Sequence, residues 1–175
     1  MNWEIIISAI LGSSITTALL NAVFIFKRDR KTAKRSKEYR ANNLAGKLEN
    51  FAVRVYKEVN SSEAYFNSGG RIGENICVPD FESVDMNEDY EFLTGEIRDE
   101  ILRFQDNIVI ENANLTNATS DLEQMYLINE EVLGHIKTLG FEAIETAVKV
   151  RKMAGLSSRK ITVEDKNLHD ILRQN

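Results

Sequence analysis

The first part of the chain is uncharged over a long stretch that ends abruptly at a basic segment. No charged residue occurs between Ile5 and Phe26. A helix of this length extends roughly 33 Å at about 1.5 Å per residue, which is enough to cross the hydrocarbon core of a bilayer. The pattern therefore predicts that residues 1–26 form a single transmembrane anchor.

Basic residues follow this stretch at once and predict its orientation. Residues 27–40 contain eight Lys and Arg against Asp29 and Glu38, a charge of about +6. Cationic residues beside a span stay on the cytoplasmic side. The expected localisation is therefore a bacterial inner membrane, crossed once, with the N-terminus outside and the C-terminal domain in the cytoplasm. Near anionic headgroups each cation contributes on the order of 1 kcal/mol. The residues predicted to contact the anionic headgroups of a lipid bilayer are Lys27, Arg28, Arg30, Lys31, Lys34, Arg35, Lys37 and Arg40.

Two other interpretations of the first stretch fit the sequence less well. A cleavable signal peptide has positive charge before a short apolar run and small residues after it, whereas this chain begins MNWE and continues FIFKRDR. A buried helix of a soluble domain is the second alternative, although so long an uncharged run is unusual in a small domain.

Small residues recur at intervals of four within the predicted anchor. Ser8, Gly12 and Thr16 share one helical face. Small residues at this spacing let two helices approach closely. The pattern predicts a homo-oligomer that associates through this helix-packing face, and anchoring without association is the alternative.

Apolar residues after the basic segment recur with the period of an α-helix. The first stripe consists of Leu44, Leu48, Phe51, Val55 and Val59. Spacings of three and four residues place such a stripe on one helical face. The first helix is therefore expected to continue from the N-terminal stretch to about Tyr65.

Two further stripes and a capping signal predict the rest of the fold. The second stripe consists of Leu93, Ile97, Ile101, Phe104 and Ile108. A third helix is expected from Ser120, which can form a capping box with Glu123, to about Gly155, and a short last helix from Thr162. The predicted fold class is all-α, with residues 41–175 forming a cytosolic antiparallel helical bundle. Coiled-coil pairing of the first helix is an additional hypothesis.

Residues 67–87 break the helical pattern and predict one long irregular loop. The segment holds three of the nine glycines and the only proline, Pro79. Its SGGRIG sequence lacks the Lys-Ser/Thr of a phosphate-binding loop. Apolar residues expected to pack this loop against the helices are Ile72, Ile76, Val78 and Phe81.

The overall charge limits the partners. The net charge of the chain is −5, so the basic segment leaves about −11 for the remainder. An acidic domain repels phosphates, and the basic segment offers only Tyr39 for base stacking, so nucleic acid is not an expected partner. Cys77 is the only cysteine, which excludes an internal disulfide.

Side chains that could carry catalysis or bind a metal do not match a known arrangement. Glu131 and His135 share a helical face, but the second Glu-x-x-His pair of a di-iron bundle is missing, so a solvated salt bridge is expected. Cys77 has no histidine at a spacing that predicts a thiol–imidazole pair. Carboxylates expected to face water are Glu96, Asp99 and Glu100. No catalytic residue, cofactor or metal site is predicted.

Three segments carry a resemblance to a group of known proteins. They read LAGKLENFAVRVYKEV, FNSGGRIGENICVPDFE and EFLTGEIRDEILRFQDNI, and with the N-terminal stretch they cover roughly residues 1–110. Together they resemble small uncharacterised bacterial and prophage-encoded proteins that begin with one membrane span. The resemblance implies a bacterial or phage source and an inner-membrane address, and it implies no activity. The loops of those proteins are typically richer in proline, so no role is carried over to the loop.

These patterns lead to one main functional hypothesis and two alternatives. The main hypothesis is a membrane-anchored helical interaction or assembly module with an unknown protein partner. The first alternative is a membrane-acting host-defence or phage-exclusion effector. The second is an enzyme with a site under the loop at residues 67–87.

Overall fold

Helices dominate the part of the chain that the structure describes. This computed structural model describes residues 3–69, 76–86, 90–119, 129–163 and 166–173, and the side chains of residues 3–16, 117–119 and 129–131 lie outside the description. The elements, in chain order, are α1 (Trp3–Asn67), α2 (Gly95–Thr119), α3 (Asn129–Met153), β1 (Thr162–Val163), β2 (Lys166–Asn167) and α4 (Leu168–Arg173). The all-α prediction is confirmed. The chain divides into two compact units, residues 1–39 (unit 1) and residues 40–175 (unit 2).

The predicted transmembrane helix and the inner-membrane localisation that depends on it are wrong. Within the described residues, no helix has an apolar stretch long enough to cross a bilayer. A span needs about 20 predominantly apolar residues.

The predicted stripe of α1 forms the centre of the unit 2 core. Leu44, Leu48, Phe51 and Val55 are all fully buried. Full burial of one such side chain stabilises the fold by about 1.5–3 kcal/mol. The prediction of one helix that continues to about Tyr65 is confirmed, since α1 ends at Asn67.

Three phenylalanines join α1, the connecting segment and α2. The ring centroid of Phe51 lies 5.7 Å from that of Phe81 and 5.2 Å from that of Phe104. Phe81 and Phe104 are also 5.2 Å apart, and all three pairs meet edge to face. This arrangement is favourable for aromatic rings because the positive ring edge meets the negative ring face.

Ion pairs show that α1 and α3 run in opposite directions. Glu49, early in unit 2, pairs with Arg151 near the end of α3. Glu63, about four turns further along α1, pairs with Lys137 near the start of α3. The predicted antiparallel packing therefore holds for these two helices.

α2 and α3 are also antiparallel, which makes α1 and α2 parallel. Glu100 near the start of α2 pairs with Lys149 near the end of α3, and Glu111 pairs with His135 near its start. The bundle is therefore only partly antiparallel, whereas the sequence had predicted an antiparallel bundle. Two parallel helices need a connection that runs back along their length.

The segment at residues 76–86 is this connection, and it is packed as predicted. Ile76, Val78, Val84 and Met86 are buried, and Phe81 is partly buried in the same core. The packing prediction is confirmed for Ile76, Val78 and Phe81, whereas Ile72 lies outside the described residues.

The helix ends follow local capping rules. The Thr94 hydroxyl accepts a hydrogen bond from the Ile97 backbone N–H at 3.4 Å, at the start of α2. α3 ends near Gly155, as predicted, where a φ of 71° lets the chain turn and the Leu156 N–H bonds back to the Arg151 carbonyl at 2.9 Å. The predicted capping box of the third helix lies outside the described residues.

The C-terminal prediction needs a correction. The last helix does not begin near Thr162, because Thr162 and Val163 pair with Asn167 and Lys166 in a short antiparallel hairpin. α4 begins only at Leu168, whose side chain is fully buried. Two residues per strand are too few to give an alternating pattern in the sequence.

One buried ion pair ties α3 to α1. The Arg151 guanidinium donates to both carboxylate oxygens of Glu49 at 2.6 and 3.0 Å and to Asn42 Oδ1 at 2.8 Å. Arg151 is 7% and Glu49 5% exposed. Removing one partner of a buried pair leaves an uncompensated charge.

Replacing Arg151 with Leu is expected to lower the free energy of unfolding by about 3–5 kcal/mol, because Glu49 would stay buried without its partner. Urea denaturation measures this loss. The matched control is Arg159→Leu: the Arg159 side chain is 70% exposed and lies 3.8 Å from Glu49, so its removal should change the unfolding free energy by less than about 1 kcal/mol. Similar losses in both variants would contradict this account.

A second test concerns the close approach of α3 to α1 at Gly140. A Cβ at this position would lie 2.8 Å from Val55 Cγ1 and 3.1 Å from Leu172 Cδ1. Gly140→Ala is expected to destabilise unit 2, because overpacking costs about 1–3 kcal/mol and outweighs the gain in helix propensity of about 1 kcal/mol. Gly134→Ala, on the same helix with nothing within 4 Å, should instead stabilise it. Thermal unfolding of both variants tests this explanation, and equal changes in their melting temperatures would refute it.

Candidate functional site

Unit 1 displays apolar side chains that its own residues do not cover. Six large apolar residues of α1 are each more than half exposed: Leu19, Leu20, Val23, Phe24, Ile25 and Phe26. At 100° per residue they are distributed around the whole helix. A helical segment that is apolar on all sides is typical of one that another apolar phase or surface covers.

Cations follow on the same helix. Of the eight residues predicted to contact headgroups, Lys27, Arg28, Arg30, Lys31, Lys34 and Arg35 are exposed, and Lys37 and Arg40 are partly buried. We call residues 17–39 the apolar–basic segment, and Arg40 belongs to unit 2. The predicted role of these cations stays a prediction.

Two ion pairs and one cation–π contact inside the apolar–basic segment join near neighbours on α1. Arg28 lies 3.8 Å from Asp29, and Lys34 lies 3.7 Å from Glu38. The Arg30 guanidinium lies over the Phe26 ring at 4.8 Å, a cation–π contact at the boundary between the apolar and the basic part. The predicted helix-packing face of Ser8, Gly12 and Thr16 lies outside the residues whose side chains are described.

A second feature is a cleft between α2 and α3 that the sequence did not reveal. It has a volume of about 570 Å³. Its lining residues, Glu96, Glu100, Arg103, Phe104 and Asn107 from α2 and Glu142, Thr146 and Lys149 from α3, are mainly polar. We call this space the α2–α3 cleft. It lies within unit 2, between two antiparallel helices.

One side of the α2–α3 cleft is closed by an internal ion pair. Lys149 Nζ donates to both Glu100 carboxylate oxygens at 2.7 and 2.9 Å. The Thr146 hydroxyl donates to Glu100 Oε1 at 3.0 Å, and Thr146 is 1% exposed. These contacts fix the Glu100 carboxylate and compensate its charge.

Glu142 and its neighbours form another part of the cleft lining. Burial raises the pKa of the Glu142 carboxyl above its usual value, and the nearby Glu100 carboxylate acts in the same direction. A hydrogen bond with the Asn107 side chain and the Arg103 charge oppose this rise in pKa without cancelling it. A carboxyl perturbed by burial in a cleft is a candidate for binding.

Other residues that the sequence analysis considered have structural partners. His135 Nδ1 lies 3.4 Å from Glu111, so its salt-bridge partner among the described side chains is on α2, and the Glu131 side chain lies outside the description. The Cys77 thiol donates to Glu58 at 3.2 Å. Among the described residues, no group of His, Cys, Asp and Glu could hold a metal ion.

The carboxylate group at residues 96–100 was expected to face water, and this holds only in part. Glu96 and Asp99 are exposed, but Glu100 is bound to α3. Polar residues at spacings of four and three on both helices were a signal for the cleft. The sequence alone did not show that the two stripes face each other.

Comparisons with known proteins return no match among family models, curated protein sequences or solved structures. The resemblance to bacterial and prophage-encoded proteins therefore stays a prediction. Function has to be inferred from the apolar–basic segment and the α2–α3 cleft.

The raised pKa of Glu142 predicts a pH dependence of stability. The folded state binds the Glu142 proton more tightly than the unfolded state, so the stabilisation from this group is complete below the unfolded pKa, near 4.5, and is lost as the pH rises through the folded pKa. Glu142→Gln should therefore raise the melting temperature at neutral pH and flatten its fall between acidic and neutral pH.

Thermal unfolding across this pH range measures the effect. Glu91→Gln, at an exposed residue outside the cleft, is the matched control and should leave the pH profile of the parent unchanged. If Glu142→Gln leaves the pH dependence of the melting temperature unchanged, the assigned burial of the carboxyl is contradicted.

Proposed function

We propose that the chain is a helical interaction module that attaches to an anionic lipid surface through the apolar–basic segment and presents unit 2 there. The observation that carries the proposal is the succession of exposed large apolar side chains and exposed cations on one continuous helix. The proposed attachment is to the surface and does not require a helix that crosses the bilayer.

The described large apolar side chains lie between Leu19 and Phe26, directly before the first cation, Lys27. This order lets the apolar part enter the headgroup and acyl boundary while the cations contact the lipid surface. The six apolar side chains around this part of α1 gain by leaving water on every side. A protein partner that covers only one face would leave several of them exposed.

The charge of the basic part selects the kind of lipid. Each cation close to an anionic leaflet contributes on the order of 1 kcal/mol, and this contribution falls off within a Debye length of about 8–10 Å. Unit 2 is acidic as a whole, so only the basic part of the chain is attracted to such a surface. Attachment should therefore be stronger on anionic lipid and weaker at high salt.

Cosedimentation of the full chain with vesicles tests the proposal. Binding is expected to vesicles that contain phosphatidylglycerol and to be much weaker with phosphatidylcholine alone. Changing Lys27, Arg28, Arg30 and Lys31 together to Gln should weaken binding to the anionic vesicles about a thousandfold, since four contributions of about 1 kcal/mol are lost.

A matched variant separates local charge from total charge. Arg54, Lys57, Lys152 and Lys160 are exposed cations of unit 2, and changing these four to Gln gives the same net charge. This control should bind like the parent chain. If both quadruple variants lose affinity equally, the assignment to the apolar–basic segment fails.

The apolar contribution has its own control. Phe24 and Phe26 are 69% and 59% exposed in unit 1, and Val109 and Ile110 are 68% and 53% exposed on α2. Changing Phe24 and Phe26 to Ser should reduce vesicle binding at least tenfold, because each ring contributes about 1.5–3 kcal/mol when buried. The same change at Val109 and Ile110 should have little effect.

A further inference from the structure

The α2–α3 cleft has the size of a small-ligand site, independently of the proposed lipid attachment. Its volume of about 570 Å³ falls in the range of about 300–1,000 Å³ that is usual for ligand sites. Its lining side chains are carried by two helices and not by loops, so their positions are well defined. Phe104, which is 2% exposed, provides an apolar contact on the α2 side.

Some charged side chains of the cleft are neutralised by an ion pair within the cleft, and others are not. Glu100 is bound by Lys149 and Thr146. Arg103, which is exposed, forms no hydrogen bond or ion pair with another described residue, and its charge acts on Glu142 across the cleft. A guanidinium has five N–H donors in a planar fork that matches a carboxylate. The cleft therefore offers one cationic and one anionic group to a ligand, from opposite helices.

We propose that the α2–α3 cleft binds a small zwitterion of the amino-acid type, with the ligand carboxylate on Arg103 and the ligand ammonium on Glu142. Such a molecule meets an opposite charge at each end. A ligand with only positive charges would leave Arg103 without a counter-ion, and one with only negative charges would be repelled by Glu96 and Glu142. Asn107 and Thr146 are polar residues of the cleft lining that hold Glu142 and Glu100 in place.

The affinity should be modest, with a dissociation constant on the order of millimolar or weaker, because the cleft is open to water and exposed charge pairs are weak. Chemical-shift mapping by NMR detects binding in this range and also shows where it occurs.

The experiment titrates the full chain with L-glutamine, putrescine and succinate in separate series. L-glutamine represents the zwitterion, putrescine the dication and succinate the dianion. The expected result is saturable shifts for L-glutamine at the amides of residues 96–107 and 142–149, with at least fivefold weaker binding of the other two compounds. Absence of saturable shifts with L-glutamine, or tighter binding of putrescine or succinate, would overturn the proposal.

Variants test the two contacts. Arg103→Gln and Glu142→Gln should each weaken L-glutamine binding at least fivefold, while the spectra of the free variants report that the fold is intact. The matched controls are Arg54→Gln, an exposed cation of α1, and Asp99→Asn, an exposed carboxylate of α2 outside the cleft. Both should bind like the parent chain, and undiminished binding by Arg103→Gln would overturn the assigned orientation. Vesicle binding is unaffected by any of these outcomes, so the two proposals can fail separately.

Discussion

The burial of Phe51 is the constraint on which the rest of unit 2 depends. This side chain lies in the middle of the α1 stripe and is fully buried, and its ring is contacted by Phe81 and Phe104. A single helix cannot bury its own apolar face, because its side chains point outward. The connecting segment and α2 must therefore both reach the same level of α1. That requirement determines where residues 76–86 pass and where along α2 the contact with α1 occurs.

The connecting segment creates a second requirement, because an extended backbone in a core needs hydrogen-bond partners. The side-chain amide of Gln105 serves as one: its Nε2 donates to the Val84 carbonyl at 3.2 Å, and its Oε1 accepts from the Val84 N–H at 2.6 Å. Arg98 donates to the Met86 carbonyl at 2.6 Å. Gln105 and Arg98 thus supply hydrogen bonds that the backbone of a neighbouring strand would supply in a sheet. α2 thus has a polar face toward the connecting segment, an apolar face toward α1 and another polar face toward the α2–α3 cleft.

The sequence could predict the features that depend on local periodicity. The stripe around Phe51, the second stripe around Phe104 and the end of α3 at Gly155 all follow from rules that act within a few turns. The direction of α2 could not be predicted, because it depends on contacts between the connecting segment and both helices. The pair of Glu49 with Arg151 joins residues 102 positions apart, and no local pattern indicates it. The α2–α3 cleft was missed because it depends on contacts between residues that are far apart in the sequence. The prediction of a membrane-crossing helix was wrong.

The two units use their charges differently, and this difference supports a role for unit 1 outside the fold of unit 2. In unit 2, ion pairs such as Glu49 with Arg151 and Glu100 with Lys149 join different helices. In unit 1, the ion pairs of Arg28 with Asp29 and of Lys34 with Glu38 join neighbours on one helix and are largely exposed. Exposed pairs of this kind contribute little to stability, and a high density of like charge opposes folding through repulsion. The exposed cations directly follow exposed apolar side chains on α1, and this succession supports the proposed attachment to a surface that carries the opposite charge.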